Sequence, residues 1–129
     1  MVKIALNGFG RIGKLALRRL IDNDISVAFI NDKNGDPDLF AHLLEFDTVH
    51  GRWSRSISND SVSLTVDNQK IPVLHEENIF NLPLDEIDIV IDCTGFFKSE
   101  QLLAQYFKKG VQKVIVSAPV KTGTVANLV

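Results

Sequence analysis

Three glycines, Gly8, Gly10 and Gly13, stand at the spacing G-x-G-x-x-G, and their surroundings give that spacing a chemical meaning. Residues 2–7 form a strand-like run, V-K-I-A-L-N, ending at Asn7, and a helical pattern opens at Arg11. A strand feeding a glycine turn that starts a helix is the arrangement that seats a pyrophosphate. Gly8 permits the tight turn, Gly10 lets backbone approach a phosphate with no side chain between, and Gly13 lets the helix pack close on the strand. The first helical amides and the positive end of the helix dipole then face the phosphates. A second apolar run, residues 27–30, ends in Asn31-Asp32, about twenty residues past the glycines, where an acid binds ribose hydroxyls. Together these features imply dinucleotide binding. The same stretch, Gly8 to Lys14, satisfies G-x-x-x-x-G-K, but the following residue is Leu15, which cannot ligate the magnesium of a nucleotide-triphosphatase loop.

The other residues able to do chemistry are sparse. Cys93 is the single cysteine and reads as a small, half-buried residue at a strand end rather than a nucleophile. His42, His50 and His75 have no metal-ligand spacing. Arg11, Lys14, Arg18 and Arg19 lie in the first helix. Arg11 sits in its first turn beside the expected pyrophosphate, and the other three read as a solvated face.

These residues need elements to position them. Ile12, Leu15, Ala16, Leu20 and Ile21 recur at helical period from Arg11 to Asp22, and Asn23-Asp24 closes the helix. Asp36 reads as an N-cap and Pro37 as a first helical residue, before an amphipathic helix over residues 38–46 with Leu39, Phe40, Leu43 and Leu44 inward. Residues 47–53 read as a polar loop. Residues 61–66 and 70–74 alternate apolar and polar around Asp67-Asn68-Gln69, the pattern of an antiparallel hairpin. Residues 88–92 (D-I-V-I-D) form a short buried strand leading to Cys93-Thr94-Gly95. Ser99 then reads as an N-cap, with Leu102, Leu103, Tyr106 and Phe107 as the helix's inner face and Gly110 as its stop. Residues 114–116 give a last strand before Ser117-Ala118. The expected fold is α/β, a Rossmann-type doubly wound, mainly parallel sheet with a small antiparallel hairpin insertion. Its ligand site lies at the strand ends Asn7-Gly8, Asn31-Asp32, Thr94-Gly95 and Ser117-Ala118.

Composition limits the alternatives. The chain has 129 residues, 45% hydrophobic and 23% charged, enough for one globular domain with a real core. A net charge of −2 offers no basic field for nucleic acid. No apolar run reaches the roughly twenty residues of a membrane span. Because residues 2–7 already read as a strand, no signal peptide is expected, and one cysteine suits a reducing cytoplasm.

The blocks N-G-F-G-R-I-G, I-N-D, L-L-E-F-D-T-V-H-G-R-W, D-C-T-G-F-F and V-S-A-P-V-K, in this order and spacing, strongly resemble the N-terminal half of the glyceraldehyde-3-phosphate dehydrogenase family. The resemblance covers almost the whole chain and implies NAD as cofactor. It implies phosphate contacts from the turn at Asn7, Gly8 and Gly10 to the amides of Arg11 and Ile12. It sets Asp32, with Asn31 beside it, on the adenosine ribose, and Glu76 next to adenine. Thr94, Gly95 and Phe96 would line the cofactor, with Ser117 near the nicotinamide-side ribose. Glu77 departs from the family pattern, which has arginine there. Lys33 is also unusual, but Asp32 beside it repels a 2′-phosphate, so NAD is expected over NADP.

The resemblance further implies a phosphorylating aldehyde-phosphate dehydrogenase of glycolysis, cytoplasmic and homo-oligomeric (a tetramer), with hydride transfer to NAD. The family's nucleophilic cysteine, in an S-C-T-T-N-C-like motif, and its activating histidine are not in the sequence. Residues 1–129 are therefore expected to be a cofactor-binding domain incomplete at its C-terminal end, with the catalytic domain absent, inert alone and prone to self-associate through an uncovered sheet edge. Two alternatives stand beside this expectation: the same domain of an erythrose-4-phosphate or other sugar-phosphate aldehyde dehydrogenase, and a stand-alone nucleotide-binding module.

Overall fold

The structure, a computed structural model, describes residues 2–34, 37–47, 51–53, 55–94 and 100–116. The expectations for Asp36, His50, Gly95, Phe96, Ser99 and Ser117 fall outside the described residues.

Four strands form the parallel centre: β1 (Ile4–Asn7), β2 (Val27–Asn31), β8 (Ile89–Asp92) and β9 (Lys113–Val116). The hairpin β6 (Ser63–Val66) and β7 (Gln69–Leu74) extends this sheet instead of standing apart from it, because β7 pairs parallel to β2 through Ile30↔Val73 and Asn31↔Leu74. A strand not anticipated from the sequence, β5 (Ile57–Asn59), completes the order β5-β6-β7-β2-β1-β8-β9. The hairpin closes through Asp67-Asn68, with Asp67 at φ 53°, a backbone state that Asp and Asn tolerate. The 47–53 stretch is partly ordered into a two-stranded pair, β3 (Phe46–Asp47) with β4 (Gly51–Arg52).

Helices cover both faces. On one, α1 (Arg11–Asp22) and α2 (Pro37–Glu45) bury Leu17, Ile21, Phe40 and Leu44 against Leu6, Ile30, Leu64 and Ile71. On the other, α3 (Glu100–Lys108) and the turn at Ile79–Asn81 bury Tyr106, Ile79 and Leu82 against Ala5, Phe29 and Val90. Register slips between Ile4↔Val27 and Ala5↔Phe29, which leaves Ala28 as an extra, exposed residue. That slip lets both Val27 and Ile30 face α1 while Phe29 faces α3.

Several helix-face expectations change. Leu39 and Phe107 are exposed, so the inner faces of α2 and α3 are narrower than the apolar pattern suggests. Arg18 is not solvated, and Lys14 is half-buried. The Arg18 guanidinium is buried, donates to the Leu44 carbonyl through Nε at 3.1 Å and through Nη2, and lies 5.5 Å from the Trp53 ring. It thereby satisfies a carbonyl at the end of α2, where a cation also suits the helix dipole. Arg55 covers the same ring at 5.7 Å and bridges Asp22 and Asp67 at 2.8 Å each. Arg19 is exposed, as expected.

Arg18→Ala leaves a buried carbonyl unpaired and uncovers one face of Trp53, and is expected to cost about 2 kcal/mol. Arg19→Ala, one residue away and exposed, is expected to stay within about 0.5 kcal/mol of wild type. Urea unfolding of both variants, followed by the fluorescence of the one tryptophan, checks the contrast.

Candidate functional site

The site begins at Gly8. Its φ is +96°, where glycine alone is unstrained, and a Cβ built there would lie 2.6 Å from the Thr94 amide nitrogen and 2.7 Å from the Cys93 carbonyl carbon. The turn is gripped from both sides: the Gly8 amide donates to the Asn31 carbonyl at 2.6 Å, and the Cys93 amide donates to the Asn7 carbonyl at 2.7 Å. Gly13 meets the same constraint from the helix, since a Cβ there would run into the Gly8 carbonyl. Gly10 differs. A Cβ on it would meet nothing within 4 Å, so the space above it is open.

Gly10 is the extended N-cap of α1, supplies no side-chain cap, and its carbonyl accepts the first helical bond, from the Lys14 amide at 3.0 Å. The amides of Arg11, Ile12 and Gly13 therefore have no partner within the helix. Arg11 and Ile12 are exposed, and no acidic residue sits in the first turn to compete for an anion. Lys14, half-buried, donates to the Phe9 carbonyl at 2.7 Å and lies 5.1 Å from the Phe9 ring. Burial holds its pKa below the ordinary lysine value, with Asp32 opposing that shift.

At the end of β2, Asp32 faces this turn. One carboxylate oxygen accepts from the Phe9 amide at 2.7 Å and the other from the Asn34 amide at 2.9 Å. Each oxygen has a second lone-pair direction for a hydroxyl. Its carbonyl is met by His75 Nδ1 at 2.9 Å, and its amide donates to Leu74 at 3.0 Å. The carboxylate is thus aimed by backbone before any ligand arrives.

Between these walls runs a cleft of about 420 Å³, within the range of small-molecule sites. Its lining includes Asn7, Gly8, Gly10, Asn31, Asp32, Glu76 and Thr94 from the expected set. Arg11 and Ile12 lie just beyond Gly10 at the helix start. Lys33, Asn34, Glu77, Asn78, Ile79, Leu82 and Cys93 complete the wall. Of these, Asn34, Asn78, Ile79 and Leu82 were not marked by the sequence, because they belong to turns that only the assembled sheet carries to this edge. Cys93 is half-buried at the strand end, in keeping with a packing role. Among the described residues no group of His, Cys, Asp and Glu could hold a metal ion.

Beneath the floor lies a buried polar chain that the sequence did not reveal. Asn31 pairs with the Glu76 backbone in both directions, donating to its carbonyl at 3.0 Å and accepting from its amide at 2.8 Å. Asn31 also donates to Asn7 Oδ1 at 2.9 Å, and Asn7 Nδ2 donates to the Tyr106 hydroxyl at 2.6 Å. Tyr106 donates to Asp92 Oδ2 at 2.6 Å, while Asp92 Oδ1 accepts from the Thr94 amide at 3.0 Å and its hydroxyl at 2.7 Å. Burial raises the Asp92 pKa above the usual carboxylate value against the pull of those three donors, and burial beside Asp92 raises the Tyr106 phenol well above its ordinary value.

The groups present fit a dinucleotide. Amides without a partner in the helix and open space lie at the helix start, an aimed carboxylate lies at the end of the next strand, and a cleft joins them. No described helix is long and apolar enough to cross a membrane.

Comparison with known proteins agrees with this geometry. Residues 2–100 match the family described as glyceraldehyde 3-phosphate dehydrogenase, NAD binding domain. Similar proteins include the glyceraldehyde-3-phosphate dehydrogenases of Mycoplasma pneumoniae, 38% identical over 99% of this chain and 39% of the relative, and of Lactobacillus delbrueckii subsp. bulgaricus, 41% identical over 92% and 37%. Glyceraldehyde-3-phosphate dehydrogenase 3 of Nostoc sp. is 39% identical over 93% of this chain and 36% of its own. The chain therefore spans under two fifths of the length of these curated relatives. By that match over most of its length, this chain belongs to the NAD-binding domain family of the glyceraldehyde-3-phosphate dehydrogenases.

Proposed function

We propose that this chain is the cofactor-holding part of a phosphorylating glyceraldehyde-3-phosphate dehydrogenase of glycolysis, and that the thiolate chemistry belongs to residues outside 1–129. The observation that carries the reading is the pairing across the cleft of α1's open amides with the Asp32 carboxylate. The names of the relatives favour this substrate over a longer sugar phosphate. The absence of a cysteine-histidine pair from the sequence motif supports the division of labour, as does the share of the relatives' length that the chain spans. A cytoplasmic homo-oligomer, tetrameric as the family resemblance implies, belongs to the same reading.

In this reading the bound NAD supplies the two-electron oxidant for the aldehyde. The chain's own residues bind and orient it. The amides of Arg11 and Ile12, with the Asn7-Gly8-Gly10 turn, hold the pyrophosphate in the field of the helix N-terminus. Asp32 accepts hydroxyl protons of the adenosine ribose through its remaining lone pairs. The Glu76 backbone and its neighbours wall the adenine, and Thr94 flanks the other half, where Gly95, Phe96 and Ser117 complete the proposed set. Asp32, Glu76 and Glu77 line one cleft with Lys33 as the cation among them, an electrostatic balance that favours a free 2′-hydroxyl over a 2′-phosphate.

Calorimetric titration tests the reading. The protein is expected to bind NAD and to bind NADP at least about tenfold more weakly, whereas equal or absent binding of both would reject it. The purified 129-residue chain, its length verified by intact mass, is expected to bind NAD without reducing it when given aldehyde phosphate and inorganic phosphate.

Asp32→Asn preserves shape but replaces one acceptor oxygen by a donor facing a backbone amide. It is expected to weaken NAD about tenfold and to narrow the preference over NADP. Parallel titrations of variant and wild type with both cofactors check this.

A further inference from the structure

Asn7, Asn31, Asp92 and Tyr106 are all buried, at 4%, 2%, 0% and 0% exposure. From Asn31 their hydrogen bonds run in one direction, through Asn7 and Tyr106, to the Asp92 carboxylate, and Asn31 is anchored to the Glu76 backbone by a bond in each direction. Two fixed ends set that direction. At one end the Glu76 amide requires an acceptor and its carbonyl a donor, which orients the Asn31 amide. At the other, an ionised carboxylate only accepts, so the single Tyr106 proton points at Asp92 and the hydroxyl oxygen is left to accept from Asn7. Asn7 must then turn its oxygen toward Asn31. No link can reverse without leaving a buried donor facing a donor.

We propose that Tyr106 and Asp92, neither of which lines the cleft, are positioning residues for the cofactor: they set the direction of a hydrogen-bond relay that fixes Asn7, Asn31 and the Glu76 wall on one side and Thr94 on the other. The proposal rests on the NAD reading above. The relay crosses the full width of the cleft floor, joining the ends of β7, β2, β1 and β8 through a side chain of α3. It therefore ties both walls to a single carboxylate.

Ionised Asp92 accepts from all three donors at once; a proton on Oδ1 displaces one of the two Thr94 bonds, and a proton on Oδ2 weakens the bond from Tyr106 or, if it points at the phenol, reverses it. The groups acting on Asp92 among the described residues are Tyr106 of α3 and Thr94 beyond its own strand. Its partners in the flanking strands are Asn7 of β1 and Val116 of β9, and the Cys93 thiol next in the chain acts on Tyr106. Because burial raises the pKa of Asp92, its contribution to folding stability is present at low pH and is lost as pH rises through the folded value. Relay order runs the opposite way, complete above that value and broken below it. Acidification thus favours folding through this group while weakening NAD. A purely structural role would not separate the two.

Tyr106→Phe keeps the ring in the core and removes the hydroxyl, and is expected to raise the NAD dissociation constant about tenfold with cooperative unfolding retained. Asp92→Asn must turn a donor toward Tyr106 or Thr94, so it is expected to bind NAD as weakly as acidified wild type. It is also expected to lose the acid limb of the wild-type affinity profile. Subtracting the two profiles removes every contribution that the two proteins share. The chain has one tyrosine, so an isotope-labelled tyrosine ring carbon gives one resonance for Tyr106. That signal is expected to shift on NAD addition and to follow the Asp92 titration.

Two variants that bind NAD within about twofold of wild type, with unchanged pH profiles, overturn the proposal while the NAD reading stands. If Tyr106→Phe fails to fold, the Asp92→Asn profile and the wild-type resonance decide in its place. A wild type that binds no NAD removes the cofactor reading and the relay's role with it.

Discussion

The close passage of backbone at Gly8 is the constraint on which the rest depends. A strand leaving the middle of a parallel sheet must clear its neighbours before a helix can begin, and here it turns over the end of β8 with no room for a Cβ. The same passage lets Gly13 seat α1 against the Gly8 carbonyl and aims the helix's open amides along the strand ends. Any larger residue at Gly8 would lift the turn off Thr94, and would tilt α1 away from Asp32. The Asp32 carboxylate, held by the Phe9 amide inside that turn, would lose its aim too. The amides at the helix start and the Asp32 carboxylate are thus one geometric unit.

The cleft then works by contrast between its walls. The helix start offers partial positive charge from amides, while the Asp32 carboxylate stands on the far side, with Glu76 and Glu77 in the same wall. A dinucleotide has the complementary layout, with anionic phosphates in the middle and hydroxyls and a base at the end. The two sides do not neutralise each other, because the backbone fixes Asp32 in place and Lys14 spends its charge on the Phe9 carbonyl and aromatic faces.

The features legible in the sequence were those governed by local rules. The glycine spacing, the acid after β2 and the Asp67-Asn68-Gln69 turn each follow from what a few adjacent residues permit; in the structure Gly8, Gly10 and Asp32 line one cleft, and the hairpin turns at Asp67-Asn68 with Gln69 already in β7. Arg18 departs from the solvated face its position implies, for an identifiable reason. Helical period assigns residues to a face but does not say what covers that face, and α2 with Trp53 covers this one. Phe107 and Leu39 show the converse, apolar residues of the helical pattern that stay exposed. The relay was beyond such reading altogether, since Asn7 and Tyr106 are 99 positions apart and meet only when β1 and α3 pack.

A buried carboxylate with no cation among its described partners is an expensive way to fill a core, and an apolar replacement of similar volume would by itself raise stability. What an apolar core cannot do is choose among orientations. Leucine packed against leucine tolerates small slips of one strand past another, whereas a chain of amides with both ends fixed accepts one arrangement. The polar chain lies directly under the strand ends, with the Tyr106 ring in the hydrophobic cluster below it, at the level where an error of a fraction of an ångström would misalign amides, carboxylate and wall together. Its cost to folding and its value to binding are therefore the same fact: the carboxylate that weakens the core is the group that leaves the cleft floor only one way to be built.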